Sequence, residues 1–166
     1  MKNIVDNMKI FESRAKSYRI PRWEELPDFD LYMDQILSFL EKHTEIFGIS
    51  ESEKIITNSM INNYVKLGLI KAPIKKKYNK SHIANLLMIT ILKKVLSMNE
   101  IKEVILQYNS KMGEADSYNY FCDELEKSLL RELDELKTPT PVIRLATKSL
   151  SSKIAAELLI KQQKQI

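Results

Sequence analysis

The sequence predicts an all-α protein, and three observations lead to that prediction. Apolar residues recur at the spacing of a helix in successive segments of the chain. Helix-capping residues stand at the ends of several of these segments, as Thr57 and Gly68 do around residues 58–67. No segment alternates apolar and polar residues over the run of positions that marks a half-buried strand, so no strand is predicted beyond a possible two-residue ladder at the basic turn.

Residues 1–29 are predicted to form a helix followed by an extended arm. The apolar residues of the helix are Ile4, Met8, Phe11 and Ala15. Their spacing predicts a helix over residues 3–19. Pro21 and Pro27 prevent a helix between them, because proline lacks a backbone N–H and restricts the residue before it. We expect Trp23 to pin this arm onto the protein core.

Residues 30–112 are predicted to hold the central helices. Asp30 stands where it can cap the first of them, and Gly48 ends it. The apolar face of this helix is formed by Leu31, Ile36, Phe39, Leu40 and Ile46. Ser50 and Glu53 have the spacing of a capping box, which predicts about one further helical turn.

The next helix has a signal at each end. Thr57 is a favourable N-cap, and Gly68 supplies a left-handed stop after Leu67. A basic break over residues 71–78 follows, and Asn79 then caps another helix. The residues from Ser97 to Glu100 form a further capping box, which predicts a helix directly after it.

Residues 113–166 are predicted to form a helical hairpin. Gly113 marks a hinge, and apolar residues recur every fourth position from Ser117. Two prolines, at 139 and 141, separate that helix from a last amphipathic one. Two such helices carry more apolar surface than they can bury between themselves. We therefore expect the hairpin either to cover the N-terminal domain or, as the favoured alternative, to form a homodimer through residues 117–160.

The composition argues against catalysis. Among 166 residues there is one cysteine, Cys122, and there are two histidines, His43 and His82. One cysteine forms no internal disulfide and makes a thiolate metal site implausible. The three glycines are too few for a phosphate-binding loop, and no nucleophile–base pair or carboxylate pair stands at a working spacing. We predict no enzymatic activity, no metal and no cofactor, and we predict that Cys122 is a small core residue.

Neither a membrane-spanning segment nor a signal peptide is predicted. The longest apolar stretch, residues 83–92, is interrupted by Asn85 and Thr90 and is too short to cross a bilayer. The first residues of the chain lack the apolar core of a signal peptide. Together with the single thiol, this predicts a cytoplasmic protein.

Charge is distributed unevenly along the chain. The net charge is +4, from 26 basic and 22 acidic residues. Between Lys54 and Asn99 there are nine lysines and no acidic residue, so this segment carries +9 and the remainder −5. Such a segment attracts polyanions, nucleic acid before an acidic membrane. The alternative is a solvated lysine surface without a partner.

The order of elements around the basic segment is typical of a winged helix-turn-helix. The helix over residues 57–67 is predicted to enter the major groove of DNA. Its outward residues are Asn58, Ser59, Asn62, Asn63 and Lys66. Asparagine can pair with adenine edges or phosphates, and no acidic side chain is present to repel DNA. The residues predicted to follow the phosphate backbone are Lys71, Lys75, Lys76, Lys77 and Tyr78, although Tyr78 has the alternative role of bracing the turn.

Two resemblances point in the same direction. Residues 61–73 resemble the recognition helix and the start of the wing of MerR-like regulators, and residues 78–83 and 97–101 resemble the segments that follow in that family. Residues 20–27, 31–35 and 60–66 are similar to an uncharacterised bacterial family described as a domain of unknown function. The resemblance to MerR-like regulators implies a winged-helix core over residues 57–108 with a short or degenerate wing.

Two functions remain open at this point. The first is a DNA-binding transcriptional regulator that acts as a dimer on double-stranded DNA. The second is a non-catalytic protein-interaction module on a winged-helix scaffold that has lost DNA binding. The second is motivated by Asn62 and Val65, which stand where MerR-like regulators usually have Arg and Glu, and by the short wing. The operator sequence, the direction of regulation and any small-molecule effector are not predicted.

Overall fold

The computed structural model describes residues 2–48, 54–135 and 141–162. The protein is mostly helical, which confirms the all-α prediction at that level. The helices are α1 (Lys2–Ser17), α2 (Met33–Thr44), α3 (Asn58–Lys66), α4 (Lys80–Leu92), α5 (Met98–Met112), α6 (Glu114–Glu135) and α7 (Pro141–Gln162). Short 3-10 turns cover Trp23–Glu25 and Glu45–Phe47. The capping box predicted at residues 50–53 and the proline turn before 141 lie outside the described residues.

The sequence left open a two-residue ladder at the basic turn, and the structure has a two-stranded antiparallel sheet with one strand there. Its strands are β1 (Leu31–Tyr32) and β2 (Lys77–Tyr78), with Leu31 opposite Tyr78 and Tyr32 opposite Lys77. Strands of two residues are too short to show an alternating pattern. The sequence therefore did not predict that this ladder would pair with Leu31–Tyr32.

The sheet also displaces the start of α2. The residues before Met33 are extended and paired with β2, so the helix begins at Met33 and its N-cap is Tyr32. The Tyr32 backbone N–H donates to Gln35 Oε1 at 2.9 Å. The prediction that Asp30 caps this helix is wrong, because strand pairing holds the intervening residues out of the helix.

Helix α4 forms the centre of the core. Nine of its residues are buried: His82, Ile83, Ala84, Leu86, Leu87, Met88, Ile89, Thr90 and Ile91. A helix that is apolar on nearly every side requires neighbours all round. Helices α2 and α5 and strand β2 pack against it. The result is a core in which α4 fixes the positions of the surface elements around it.

The chain divides into two compact units. The central unit is Ile20–Cys122, and the terminal unit combines Met1–Arg19 with Asp123–Ile166. This division differs from the three expected segments, 1–29, 30–112 and 113–166. The physical reason is that the proline-rich arm belongs with the first turns of α6.

Hydrogen bonds tie the arm to α6. Tyr118 Oη donates to the Pro21 carbonyl at 2.9 Å, and the Trp23 backbone N–H donates to Asn119 Oδ1 at 2.8 Å. The Trp23 ring lies edge-on to Tyr118, with 6.4 Å between ring centroids. Trp23 therefore anchors the arm onto the central unit.

The terminal unit consists of helices. Within it, Lys148 Nζ of α7 lies 2.6 Å from Glu132 Oε1 of α6, so these two helices are neighbours. Among the residues whose side chains are described in this unit, the buried apolar ones are Ala15, Leu133 and Ile160. In the described parts of the chain, no helix has both the length and the apolar character needed to cross a membrane.

Candidate nucleic-acid interface

Helix α3 begins and ends where its capping residues predict. Thr57 Oγ1 accepts a hydrogen bond from the Met60 backbone N–H at 3.3 Å. At the other end, Gly68 has a φ of +66°. Its N–H donates to the Val65 carbonyl at 3.0 Å, and the Leu69 N–H donates to the Tyr64 carbonyl at 2.9 Å. This pair of bonds is a Schellman motif, which explains why a glycine stands at position 68.

The two faces of α3 differ as its sequence pattern requires. Ile61 and Tyr64 are buried and hold the helix on the core. The outward side chains predicted to face DNA are all exposed: Asn58, Ser59, Asn62, Asn63 and Lys66. Asn62 Nδ2 donates to Asn58 Oδ1 at 2.9 Å, one helical turn away. The surface of α3 therefore presents amide and hydroxyl groups with one ammonium group and no carboxylate.

The basic break contains a tight hairpin, which we call the lysine hairpin (residues 74–77). The Ile74 N–H donates to the Lys77 carbonyl at 3.2 Å, and the Lys77 N–H donates to the Ile74 carbonyl at 2.9 Å. The two residues between them, Lys75 and Lys76, have φ values of +50° and +65°. A two-residue hairpin loop with both φ values positive is the type I′ pattern. The short wing is thus a regular hairpin with the minimal loop.

Lysine is an unusual residue in this loop. Type I′ loops favour Asn-Gly, because a side chain in the left-handed region clashes with its own backbone. Each non-glycine residue held there costs on the order of 1 kcal/mol. Backbone strain of this kind is concentrated at functional sites in proteins. The two strained positions of the hairpin therefore present two adjacent ammonium groups at a cost in stability.

The lysines of this region have few internal partners. Lys66, Lys71, Lys75 and Lys76 are exposed, and the described part of the chain gives none of their ammonium groups an ion pair or a hydrogen bond. Lys77 is half-buried, and its Nζ lies 5.1 Å from the centroid of the Tyr32 ring. We call these five lysines, together with the outward residues of α3, the basic surface. Its charges are available to an external anion.

His82 connects the parts of the basic surface. Its Nε2 lies 3.1 Å from the Lys71 carbonyl, on the connection that leaves α3. Its Nδ1 accepts from the Asn79 backbone N–H at 3.1 Å, where the hairpin passes into α4. Burial, the largest effect, lowers the pKa of His82. Backbone hydrogen bonds with Lys71 and Ala72 and the charges of Asp30 and Glu114 act in the opposite direction.

Tyr78 does not belong to the surface. Its side chain is 2% exposed, and burial raises the pKa of its hydroxyl. It lies in β2 opposite Leu31, and its ring meets the His82 ring edge-on at 5.5 Å. The prediction that Tyr78 contacts DNA is therefore wrong. The hairpin reverses the chain so that Tyr78 points into the core, and the residue braces the turn.

Two residues that sequence reasoning missed lie beside the basic surface. Tyr32, exposed on β1, faces Lys77 across the sheet. Lys102 of α5 reaches the end of α3, since a Cβ on Gly68 would lie 3.3 Å from Lys102 Nζ. Lys102 stands between Glu100 and Glu103 in the sequence, outside the acid-free segment. Only the fold brings its charge to the C-terminus of α3, where a cation is favourable.

Lys93, which contributes to the charge of the acid-free segment, has a structural role instead. Its ammonium group donates to the Ile55 carbonyl and lies 3.5 Å from Met60 Sδ. It thereby holds the chain that leads into α3. Among the described residues, no three His, Cys, Asp or Glu side chains come together as a metal site.

The comparisons with known proteins give one match. Residues 21–125 match the family model described as "Domain of unknown function (DUF1836)", which covers more than half of the 166 residues. No curated protein and no solved structure matches the chain.

Proposed function

We propose that this protein, which belongs to the DUF1836 family, is a DNA-binding transcriptional regulator. In this proposal α3 enters the major groove and the lysine hairpin contacts phosphates, in the manner of a winged, MerR-like helix-turn-helix. The protein performs no catalysis. We place it in the cytoplasm, where a single thiol such as Cys122 stays reduced.

The observation that carries the proposal is the lysine hairpin. Two adjacent lysines occupy strained positions where other residues would be more stable, and no described group of the protein pairs with them. A duplex carries one phosphate charge per about 1.7 Å of its axis, which makes it a suitable counterpart for such a cluster. The strain is explained if the function of the two lysines is to bind an anion.

Helix α3 supports the same conclusion by its size and its surface. Nine residues give a length of about 14 Å, and the major groove is about 12 Å wide. Asn62 and Asn63 are exposed in the middle of the helix, where amide groups can read base edges. We assign Asn58, Ser59, Asn62 and Asn63 to groove contacts and the lysines to phosphates.

Recognition of a regulatory site by this protein requires two copies. We propose a homodimer through residues 117–160, which would present two α3 helices about 34 Å apart on a palindromic site. The dimer also explains why α7 carries large exposed apolar residues, among them Ile143 and Leu150. A small-molecule effector is not part of the proposal.

The direct test is selection of duplexes from a random pool by the full-length protein at about 150 mM salt. We expect enrichment of a palindrome with half-sites about one helical turn apart. Recovery of a pool that is as random as the starting one would overturn the proposal. The matched variant is Asn62→Ala with Asn63→Ala, which should reduce discrimination between selected and scrambled duplexes by about 1–3 kcal/mol per lost base contact, while non-specific binding stays unchanged.

A protein-interaction module is the second candidate, and one observation favours it. The aliphatic side chain of Ile74 is exposed at the base of the hairpin loop, and Tyr32 is exposed on the neighbouring strand. An exposed aromatic side chain next to an exposed apolar one is also typical of protein interfaces. This candidate predicts negligible retention of any duplex at about 150 mM salt, so the same selection distinguishes the two.

A further inference from the structure

Helix α7 has two apolar faces, and only one of them is even partly covered. Ile160 is buried, and Leu145 and Ala156 on the same side are half-buried. On the opposite side the aliphatic residues are between 47% and 73% exposed: Ile143, Leu150, Ile154 and Leu158. Together with Thr147 and Ser151 they occupy an arc of about 100° on the helix surface. We call these six residues the outer seam.

The outer seam has the spacing of a helix–helix interface. Positions 143, 147, 150, 154 and 158 follow one another at intervals of three and four residues, as in the core of a coiled coil. Between Ile143 and Leu158 the seam contains no charged residue, and the charges of that span lie beside it, at Arg144, Lys148, Lys153 and Glu157. Lys161 follows on the line of the seam, one turn after Leu158. A second helix could therefore pack from Ile143 to Leu158 without burying a charge.

The seam is also self-complementary when one copy is reversed. About the midpoint between Leu150 and Ser151, the position of Ile143 mirrors that of Leu158, and the position of Thr147 mirrors that of Ile154. An interface with two-fold symmetry brings the same patch of both subunits together in this way. The match pairs the two outer aliphatic residues and places the smaller hydroxyl residues beside aliphatic ones.

We propose that the outer seam of α7 binds the outer seam of a second copy in antiparallel orientation, with the two-fold axis beside Leu150 and Ser151. The inference deepens the homodimer of the proposed function by naming its surface and register, and it does not depend on DNA binding. We choose a second copy as the partner because the residues of the seam match those of an identical seam that runs in the opposite direction.

The helix macrodipoles favour the antiparallel register over the parallel one. In the parallel pair, Arg144, Lys148 and Lys153 would each lie level with their own copies. In the antiparallel pair, Arg144 lies level with Glu157 of the second copy, but Lys148 lies level with Lys153, so the side-chain charges do not decide between the two registers. The macrodipoles do, because two antiparallel helices align them favourably.

The area of the seam sets the expected strength. A fully exposed aliphatic side chain offers roughly 100 Å² of apolar surface. The four aliphatic residues are on average a little more than half exposed, so the two copies together bury roughly 500 Å² of apolar side chain. Even when the polar side chains and the backbone along the contact are added, the buried area remains at the low end for specific protein complexes. We expect a dimer with a dissociation constant in the micromolar range.

Cysteine cross-linking of the full-length protein tests the register. Leu150→Cys lies beside the axis and should give a disulfide-linked dimer on mild oxidation. Ile143→Cys and Leu158→Cys should each give no disulfide-linked dimer when tested alone, because fifteen residues of helix, about 22 Å, separate each cysteine from its own copy. Mixing these two variants should give the cross-linked dimer. The unchanged protein is the control, since its own Cys122 is buried. Cross-linking of Ile143→Cys alone would indicate a parallel pair and overturn the proposal.

Sedimentation equilibrium over about 5 to 500 μM tests the surface itself. We expect Leu150→Glu to weaken dimerisation at least tenfold. Leu159 is exposed to the same degree as Leu150 but lies outside the seam, so Leu159→Glu should leave dimerisation unchanged. A dimer that survives Leu150→Glu uses another surface, and a chain that is monomeric throughout has no such interface; either result overturns the proposal. Binding of the Leu150→Glu variant to a half-site duplex should be normal, which separates a failure of the seam from a failure of DNA binding.

Discussion

The central and terminal units differ in how much of their apolar side-chain surface is buried. In the central unit, α4 alone contributes nine buried residues. In the terminal unit, the buried apolar residues among the described side chains are Ala15, Leu133 and Ile160, while α7 exposes several large ones. The central unit therefore completes its own core and presents charge to the solvent. The terminal unit has apolar surface left over, and that surface is expected to be completed by a second copy.

The sequence of the two helices explains the contrast. From Ser81 to Leu92, α4 has no charged residue, so every side of the helix can be buried. Helix α7 has a similar supply of aliphatic residues, but Arg144, Lys148, Lys153 and Glu157 divide them into two stripes. A helix with charges between two apolar stripes can be covered on one side by its own chain and on the other side only by a partner.

The largest expected effect is on the free energy of unfolding, when a core residue of α4 and a seam residue of α7 are each replaced by alanine. Ile89→Ala should lower the free energy of unfolding by about 2–5 kcal/mol, because it leaves a cavity in a close-packed core. Ile154→Ala should change it by less than about 0.5 kcal/mol when measured at a concentration where the protein is monomeric. Urea unfolding followed by circular dichroism provides the measurement. Equal losses in both variants would show that α7 is covered within the monomer and would remove the contrast.

The second prediction concerns the charge of the basic surface. Replacing Lys75, Lys76 and Lys77 by alanine should weaken duplex binding about 100-fold at about 150 mM salt, since each phosphate contact contributes about fivefold there. The slope of log affinity against log salt should fall by about 2.7. Dimerisation through the apolar seam should not show this dependence on salt, because it releases no counterions.

The matched control removes the same net charge elsewhere. Lys111, Lys127 and Lys153 are exposed and lie outside the basic surface. Their joint replacement by alanine should leave the slope within experimental error. If both triple variants lose affinity alike, the effect comes from net charge and not from the hairpin.

The third prediction separates stability from affinity at the hairpin loop. Lys75→Asn with Lys76→Gly supplies the residues that a type I′ loop favours. We expect the free energy of unfolding of the central unit to rise by about 1–2 kcal/mol, while affinity for the selected duplex falls about 30-fold. Thermal unfolding and fluorescence anisotropy measure the two quantities. A more stable variant with unchanged affinity would show that the strain has no connection with DNA.

The features that the sequence predicted correctly depend on local chemistry. Thr57 and Gly68 mark the ends of α3 because a cap needs only a hydroxyl oxygen or a left-handed residue at one position. The exposure of Asn62 and Asn63 follows from helical periodicity alone. Gly113 likewise ends α5 with a φ of +87°. None of these needs information from distant parts of the chain.

The features that the sequence did not predict depend on contacts between distant segments. The pairing of Leu31 with Tyr78 joins positions far apart in the chain and involves strands too short to show a pattern. That pairing turns Tyr78 inward and moves the start of α2. Lys102 reaches Gly68 only because α5 packs near the end of α3. The type I′ loop could not be predicted from the sequence, because two lysines occupy the positions where Asn-Gly would have indicated it.

The smallest expected effect is a pH dependence confined to the central unit, which contains both histidines, His43 and His82. Burial lowers the pKa of both side chains below 6.5, with the Lys42 charge adding to the effect on His43. The unfolded chain therefore takes up protons before the folded one. Stability is fully present above about pH 6.5 and decreases as the pH falls through the lowered values.

Hydrogen exchange between pH 7 and 5.5, corrected for the intrinsic rate, measures this effect unit by unit. We expect amides of α4 to lose protection on acidification and amides of α7 to keep theirs, because the terminal unit contains no histidine. His82→Gln keeps an amide donor for the Lys71 carbonyl and should reduce the acid sensitivity of α4, and His43→Gln should reduce it further when added. Equal losses in α4 and α7 would mean that the two units unfold together, and an unchanged profile in His82→Gln would show that protonation of this buried imidazole does not destabilise the core.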